Sequence, residues 1–394
     1  MSTIQTEKPE QSEKSVARLN SLEIENFRAF DRLKLNNLGR VNLLVGLNNC
    51  GKTTVLEAVN ILMAGDGVEA IWTTLSRRGE SLERGTASVN TRWDDVDIRR
   101  LFHGHVMPLG AFFSLSAGTS GGTERMTAAV EARNRQPTRP MSQPPSTEAS
   151  ESPDDLPSGL SLSLKWSRGT ADEPPFEETI EINRRLGVSF DSIRRRRLFR
   201  RLDQPPIVTF LTASSFSAVG AAVFFDQIVL TPKEELVVEA LKFIEPGIER
   251  IASISDGQGS SRRGGMVVRV KDSIDRIPIG SMGDGIWRMF GLAIAVVNSE
   301  NGILLVDEID TGLHYSVMKR MWRFLNEASR KYNVQVIATS HSRDCYQSLA
   351  KICREDVAEG SEVMISRIER GREEAVQYSE EEIIAAAEHD IEVR

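Results

Sequence analysis

The chain has 394 residues, 40% hydrophobic and 27% charged, with a formal net charge of -7 at pH 7. That length supports one large core with an appended lobe, and the acidic balance excludes attraction of the whole molecule to nucleic acid, so such contact needs a local basic patch. Three cysteines without a paired framework (Cys50, Cys345, Cys353) exclude a disulfide scaffold, no Cys/His pattern completes a zinc site, and no stretch approaches the ~18 apolar residues that span a bilayer, so a cytoplasmic protein is expected.

Residues 1–16 are polar and are expected to be a disordered tail. Leu22, Ile24 and Phe27 then alternate with Glu23 and Glu25, which predicts a half-buried strand, and a second strand is expected around Leu33 and Leu35. Val41, Asn42, Leu43, Leu44 and Val45 read as a strand buried in a parallel sheet. Next in the chain is the run Gly46, Leu47, Asn48, Asn49, Cys50, Gly51, Lys52, Thr53, which fits the phosphate-loop pattern G-x-x-x-x-G-K-[ST] at every fixed position. Exposed backbone N–H groups of such a loop hold phosphates, a lysine reaches the β/γ oxygens, and the hydroxyl ligates Mg2+. Apolar residues recur at helical spacing from Thr54 to Met63, with Gly65 as a stop, so a helix N-terminus points at the phosphates. The expected residues for binding a nucleotide triphosphate are therefore Gly46, Asn48, Asn49, Cys50, Gly51, Lys52, Thr53 and Thr54. Cys50 is either a thiol activated by that helix end or a small, tolerant loop position.

Between about 86 and 275 the pattern is interrupted by an insert. Residues 133–158, rich in proline, serine and threonine, read as a disordered loop, and the flanks at 160–166 and 178–182 alternate like strands of a small sheet. Arg194, Arg195, Arg196, Arg197, Arg200 and Arg201 gather beyond them; this is either a phosphate-backbone contact for DNA or RNA, or a solvated or partner-facing surface. Thr231 is a candidate cap and Pro232 suits the first turn of a helix carrying Leu236, Val237, Ala240, Leu241 and Ile244. No sustained heptads occur, which argues against a coiled-coil arm.

Ser281, Met282, Gly283, Asp284 and Gly285 open another helical pattern, a second anion site or a plain glycine-rich cap. Since one nucleotide already has the phosphate loop, a second such turn implies a site completed across a dimer, with Ser281 facing the partner's γ-phosphate. Gly302 precedes Ile303, Leu304, Leu305, Val306, Asp307 and Glu308, an apolar strand ending in two carboxylates. This is the Walker B form, in which Asp307 holds Mg2+ and Glu308 polarises the attacking water. Another buried strand around Val334, Val336 and Ile337 ends at His341, placed to bond the γ-phosphate or the water. Residues 380–394 read as an acidic amphipathic helix and tail, structural or partner-facing.

Together these motifs resemble ABC-type ATPases of the RecF/SMC and overcoming-lysogenization-defect (OLD) group. Ile24-Glu25-Asn26-Phe27-Arg28 is similar to that group's first strand motif, Ser281-Met282-Gly283-Asp284-Gly285 to its signature loop, Asp310 to its D-loop, and His341 to its switch histidine. The resemblance covers roughly the first eighty and last hundred and twenty residues. It implies an α/β P-loop NTPase of ABC/RecF-like head type: a mostly parallel central sheet, an N-terminal antiparallel β portion and an inserted α+β lobe. The ATPase domain would run over 17–394, with halves at about 17–85 and 276–394. The resemblance further implies that ATP joins two heads and that hydrolysis separates them, with Arg28 near the nucleotide. Departures are plain: Gln227 is a weak candidate for the Q-loop glutamine, the role of His103-Gly104-His105 is open, and the chain ends too soon after His341 for a Toprim nuclease domain. The expected function is an ATPase in DNA maintenance or anti-phage defence. Alternatives are an ATP-switched subunit that holds or releases a separately encoded nuclease, and a transporter cassette, which the long insert disfavours.

Overall fold

Four strands whose sequences are almost wholly apolar can be satisfied only where both sheet faces are covered. In the computed structural model, which describes residues 18–64, 67–82, 95–133, 157–169, 175–189, 207–212, 218–254, 265–355 and 362–393, they form the middle of a six-stranded sheet. Its order is Val208–Leu211, Ile303–Val306, Gln335–Thr339, Val41–Val45, Val363–Arg367, Val376–Tyr378. The first five are parallel and the last is antiparallel. Alternation along each strand splits the apolar residues between two cores. Leu44, Ile303, Leu305 and Ile337 face one; Leu43, Val45, Leu304, Val306, Val336 and Ala338 face the other. The second core is roofed by the helix Asp284–Asn298, which is buried on nearly every side, and by one apolar face each of Tyr315–Lys331 and Arg343–Glu355.

The first core is closed by the helix Lys52–Met63 and by a second sheet, antiparallel throughout. Its order is Phe30–Leu35, Leu19–Phe27, Phe112–Thr119, Gly122–Ala132, Pro157–Ser167, Phe176–Asn183. The two N-terminal strands are the pair expected from their alternation. Of the segment expected as an inserted lobe at 86–275, four strands extend this N-terminal sheet, and Val208–Leu211 is an edge of the parallel sheet beside Ile303–Val306. The reason is burial. Phe113, Leu115, Met126, Ala128, Val130, Leu162, Leu164 and Ile182 continue the inward row begun by Leu22, Ile24 and Phe27, so one apolar face serves both segments. Of the loop expected at 133–158, residues 134–156 lie outside the described residues, as do the tail 1–16 and Arg194 to Arg197, Arg200 and Arg201. Pro157 already opens a strand.

The helix Pro232–Lys242 starts as its sequence predicts, with the Thr231 side chain accepting the Lys233 amide and Pro232 in the first turn. The C-terminal helix Glu380–Glu388 has a capping box between Ser379 and Glu382 and buries Ile383 and Ala386. Among the described residues, no helix is long and apolar enough to cross a membrane. The architecture is the expected α/β fold of a P-loop NTPase: a mostly parallel central sheet under an N-terminal antiparallel β layer.

Candidate nucleotide site

Register sets the site. Pairing of Leu44 with Thr339 and of Ala338 with Val306 brings three strand ends to one level, so loop 46–51, Asp307–Glu308 and His341 emerge together. The loop can turn only because of its glycines. Gly46 has φ of 143°, and a β-carbon there would lie 2.4 Å from the Ile368 carbonyl oxygen. Gly51 has φ of 104°, and a β-carbon there would lie 2.3 Å from the Phe30 ring. Asn49, at φ of 60°, is a residue type that tolerates the left-handed region. The helix Lys52–Met63 then begins with no side-chain cap, so its first amides are free for an anion. The Lys52 ammonium donates to the carbonyls of Gly46 and Leu47, both at 2.9 Å. Cys50 is buried under the loop.

Thr53 Oγ1 donates to Asp307 Oδ2 at 3.0 Å. Thr339 Oγ1 donates to Asp307 Oδ1 at 2.7 Å and accepts the Glu308 amide at 2.8 Å. Thr311 Oγ1 donates to Glu308 Oε2 at 3.2 Å. A hydroxyl from the first turn of the helix Lys52–Met63 and a carboxylate from the end of Ile303–Val306 thus converge, and no cluster of three or more His, Cys, Asp or Glu among the described residues offers a metal cage. That donor set fits Mg2+, which takes one or two protein oxygens and fills its remaining positions with water and phosphate.

A cleft of about 640 Å3 collects these groups. Of the residues expected from sequence, it is lined by Arg28, Asn48, Asn49, Cys50, Gly51, Lys52, Thr53, Thr54, Asp307, Glu308 and His341. Arg28 is on the wall, but its guanidinium is committed elsewhere: it pairs with Glu57 at 3.0 Å and, in bidentate fashion, with Glu80 at 2.8 and 2.9 Å. The Arg28–Glu57 contact is close in distance but lacks hydrogen-bond alignment. Burial pushes the Glu57 carboxyl up from its ordinary value against the pull of Arg28 and Arg78.

Ser281, Gly283, Asp310 and Gln227 do not line this cleft. Ser281 and Gly283 are exposed at the start of the helix Asp284–Asn298. Asp310 Oδ1 is buried without a hydrogen bond, and Gln227 is exposed in a turn after Ala218–Asp226. The cleft also gathers residues with no role assigned from sequence: Arg100, His103 and His105 come from one segment of short turns, and Arg370 from a separate loop. His103 Nδ1 lies 2.9 Å from the Arg28 carbonyl oxygen. The signal for that turn was compositional, two of the chain's five histidines flanking a glycine. Thr339 and Arg288 escaped as well; for Arg288 the cue is a charge inside a helix that otherwise buries Ile286, Met289, Phe290 and Leu292.

The fold and this cleft define a P-loop nucleotide-binding protein, and parts of the chain are similar to AAA-type ATPase domains. Residues 18–97 match the family described as "AAA ATPase domain", and residues 229–344 match "AAA domain, putative AbiEii toxin, Type IV TA system". An "ATP/GTP phosphatase" of Helicobacter pylori is 22% identical over 352 residues, covering 86% of this chain and 89% of that one. The "DNA replication and repair protein RecF" of Clostridioides difficile is 46% identical over 48 residues, 12% of this chain and 13% of that one. Among solved structures, an SMC head bound to the C-terminal winged-helix domain of ScpA is 14% identical, covers 92% of this chain and 98% of that chain, and has a TM-score of 0.46.

Proposed function

We propose that this protein is a Mg2+-dependent ATPase of the RecF/SMC- and OLD-like kind, acting as a dimer whose two heads close on shared ATP, in DNA maintenance or anti-phage defence. The observation that carries the reading is the run of contacts Thr53–Asp307–Thr339–Glu308, which ties the phosphate loop to the two carboxylates after Ile303–Val306 and to the end of the adjacent strand. The loop amides and Lys52 bind and orient the triphosphate, and Lys52 opposes charge that develops on the transferred phosphoryl group. Thr53 and Asp307 would hold Mg2+, which neutralises phosphate charge when bound. Glu308 sits at the cleft with its carboxylate accepting from Thr311, so it is oriented to draw a proton from water in line with the γ-phosphate. His341, at the next strand end, bonds the same phosphate or the water. Exposure of Ser281 and Gly283 away from the cleft supports their use by a second copy, and Asp310 would belong to that same face.

The test is Glu308→Gln. Turnover should fall by about 100-fold or more, ATP should still bind, and a dimer should accumulate with ATP on size-exclusion chromatography. Unchanged turnover would remove Glu308 from the chemistry; tight ATP binding by a strict monomer would remove the shared site.

A further inference from the structure

Glu308 is strained: its φ of 49° lies in the left-handed region, at a residue with a β-carbon. Such a conformation persists only where neighbours over-determine it, and it is commonest where geometry serves function. Its amide is held by Thr339, and its carbonyl accepts the Thr311 amide at 3.1 Å. The remaining grip comes from Arg288. Arg288 Nη2 donates to the Glu308 carbonyl at 2.6 Å and to the Asp307 carbonyl at 2.9 Å, and Nη1 reaches the Thr212 carbonyl at 3.4 Å. Arg288 is only 8% exposed. Burying a guanidinium is costly unless its donors are used; Nε is buried here without a hydrogen bond, and both bonds of Nη2 go to backbone carbonyls of the two residues that carry the chemistry. A helix that needed only to fill this core would carry a methionine at 288, since its inward neighbours Met289, Phe290 and Leu292 are all apolar.

We propose that Arg288 is a positioning residue for hydrolysis, clamping the Asp307 and Glu308 peptides so that the Glu308 carboxylate is presented to the cleft. The clamp also ties Glu308 to the helix that starts at Asp284. That helix start packs on the turn beyond Glu308, where a β-carbon on Gly285 would lie 3.3 Å from the Gly312 carbonyl oxygen. Movement of the helix start is therefore transmitted to Glu308 through one side chain and one turn. The inference rests on the ATPase reading of the site.

The experiment uses the full chain with Arg288→Met and Arg288→Lys, measuring kcat and KM for ATP, direct binding of a fluorescent ATP analogue, and thermal stability. Met keeps the volume and removes the donors. Its kcat should fall about 100-fold while analogue affinity stays within about threefold, because a misplaced base loses turnover and not phosphate binding. Lys restores part of the donor set, so its kcat should recover by about tenfold over Met. A folded Met variant with kcat within about threefold of the wild type overturns the proposal, as does kcat that falls only in step with affinity. If the Met variant does not fold, the Lys variant decides: reduced kcat at unchanged affinity supports the clamp, and wild-type kcat overturns it. A wild-type protein that binds ATP without turning it over would remove the ATPase reading itself; wild-type turnover with undisturbed variants removes the clamp alone.

Discussion

At the end of the parallel sheet where the strands begin, polar groups close on one another; at the end where they finish, polar groups are held open. Gln335 is fully buried at the first end, donating Nε2 to the carbonyls of Leu19 and Gly39 at 2.8 Å each and accepting the Leu19 amide at 2.9 Å. Glu362 lies between Arg40 and Arg330 nearby. At the other end Lys52 rests on carbonyls, Asp307 is held by hydroxyls, and Gly51, Asn49 and Glu308 sit at positive φ. An end that must receive a charged ligand cannot let its charges neutralise each other, so they are steered by neutral groups and by strain. The closed end has no such demand.

One charged cluster near the site breaks this contrast, and testing it has the largest expected effect. Arg28, Glu57, Glu80 and Arg78 pair with each other at the wall of the cleft, with the Arg28 and Glu57 side chains 5% and 4% exposed. Arg28→Ala leaves Glu57 buried with Arg78 as its remaining partner and should cost about 3–5 kcal/mol in denaturant unfolding. The loss should shrink in acid. A carboxyl whose folded pKa is raised above its ordinary 4.5 contributes stability that is present below that value and lost as pH rises through the folded one. The variant, which raises Glu57 further, is thus penalised more at pH 8 than at pH 4. A loss below about 1 kcal/mol would class the cluster with surface pairs and restore Arg28 as a candidate nucleotide contact.

Gln335→Leu probes the closed end directly. It strips the partner from the buried Leu19 amide and weakens two carbonyls, at about 1–3 kcal/mol. ATPase kcat and KM of the folded fraction should not move, because Gln335 lies at the far end of its strand from Thr339. A change in kcat at unaltered stability would mean that the two ends are coupled, and the contrast would fail.

The same contrast explains what could be read from sequence. The phosphate loop was legible because its requirements are contiguous: Gly46 and Gly51 for backbone conformation, Lys52 and Thr53 for charge and hydroxyl. Asp307 and Glu308 were legible because a fully buried strand announces its polar end. Thr339 and Arg288 were not, since a hydroxyl that bridges a carboxylate and an amide, and a guanidinium that bonds backbone carbonyls, leave no spacing signature. Val208–Leu211 was hidden for a different reason: four residues have too little periodicity to say which sheet they join, and only pairing with Ile303–Val306 decides it. Where the strands of the insert pair was not legible either, because alternation marks strands and their inward rows but not the neighbour that covers them. The resemblance put Arg28 near the nucleotide, and Arg28 does line the cleft; that its charge is used by Glu57 and Glu80 had no sign in the sequence.

The smallest expected effect is at Glu362. Burial pushes its carboxyl up, but hydrogen bonds from Arg330 and Arg40 outweigh that and hold it below its ordinary 4.5. A depressed carboxyl contributes stability that is present above 4.5 and lost as pH falls through the folded value. Glu362→Gln should therefore flatten the acid limb of the urea midpoint below pH 4.5 and lower the midpoint slightly at pH 7, less so in high salt because the group is partly exposed. The backbone role survives the substitution: the Glu362 carbonyl still accepts the Val41 amide, and its own amide still donates to Glu380 Oε1. The strand leading to the phosphate loop should thus keep its register, and nucleotide affinity should be unchanged. Wild type and variant losing stability in parallel through the acid range would show that this pair contributes nothing, and that backbone pairing and apolar burial alone hold the closed end.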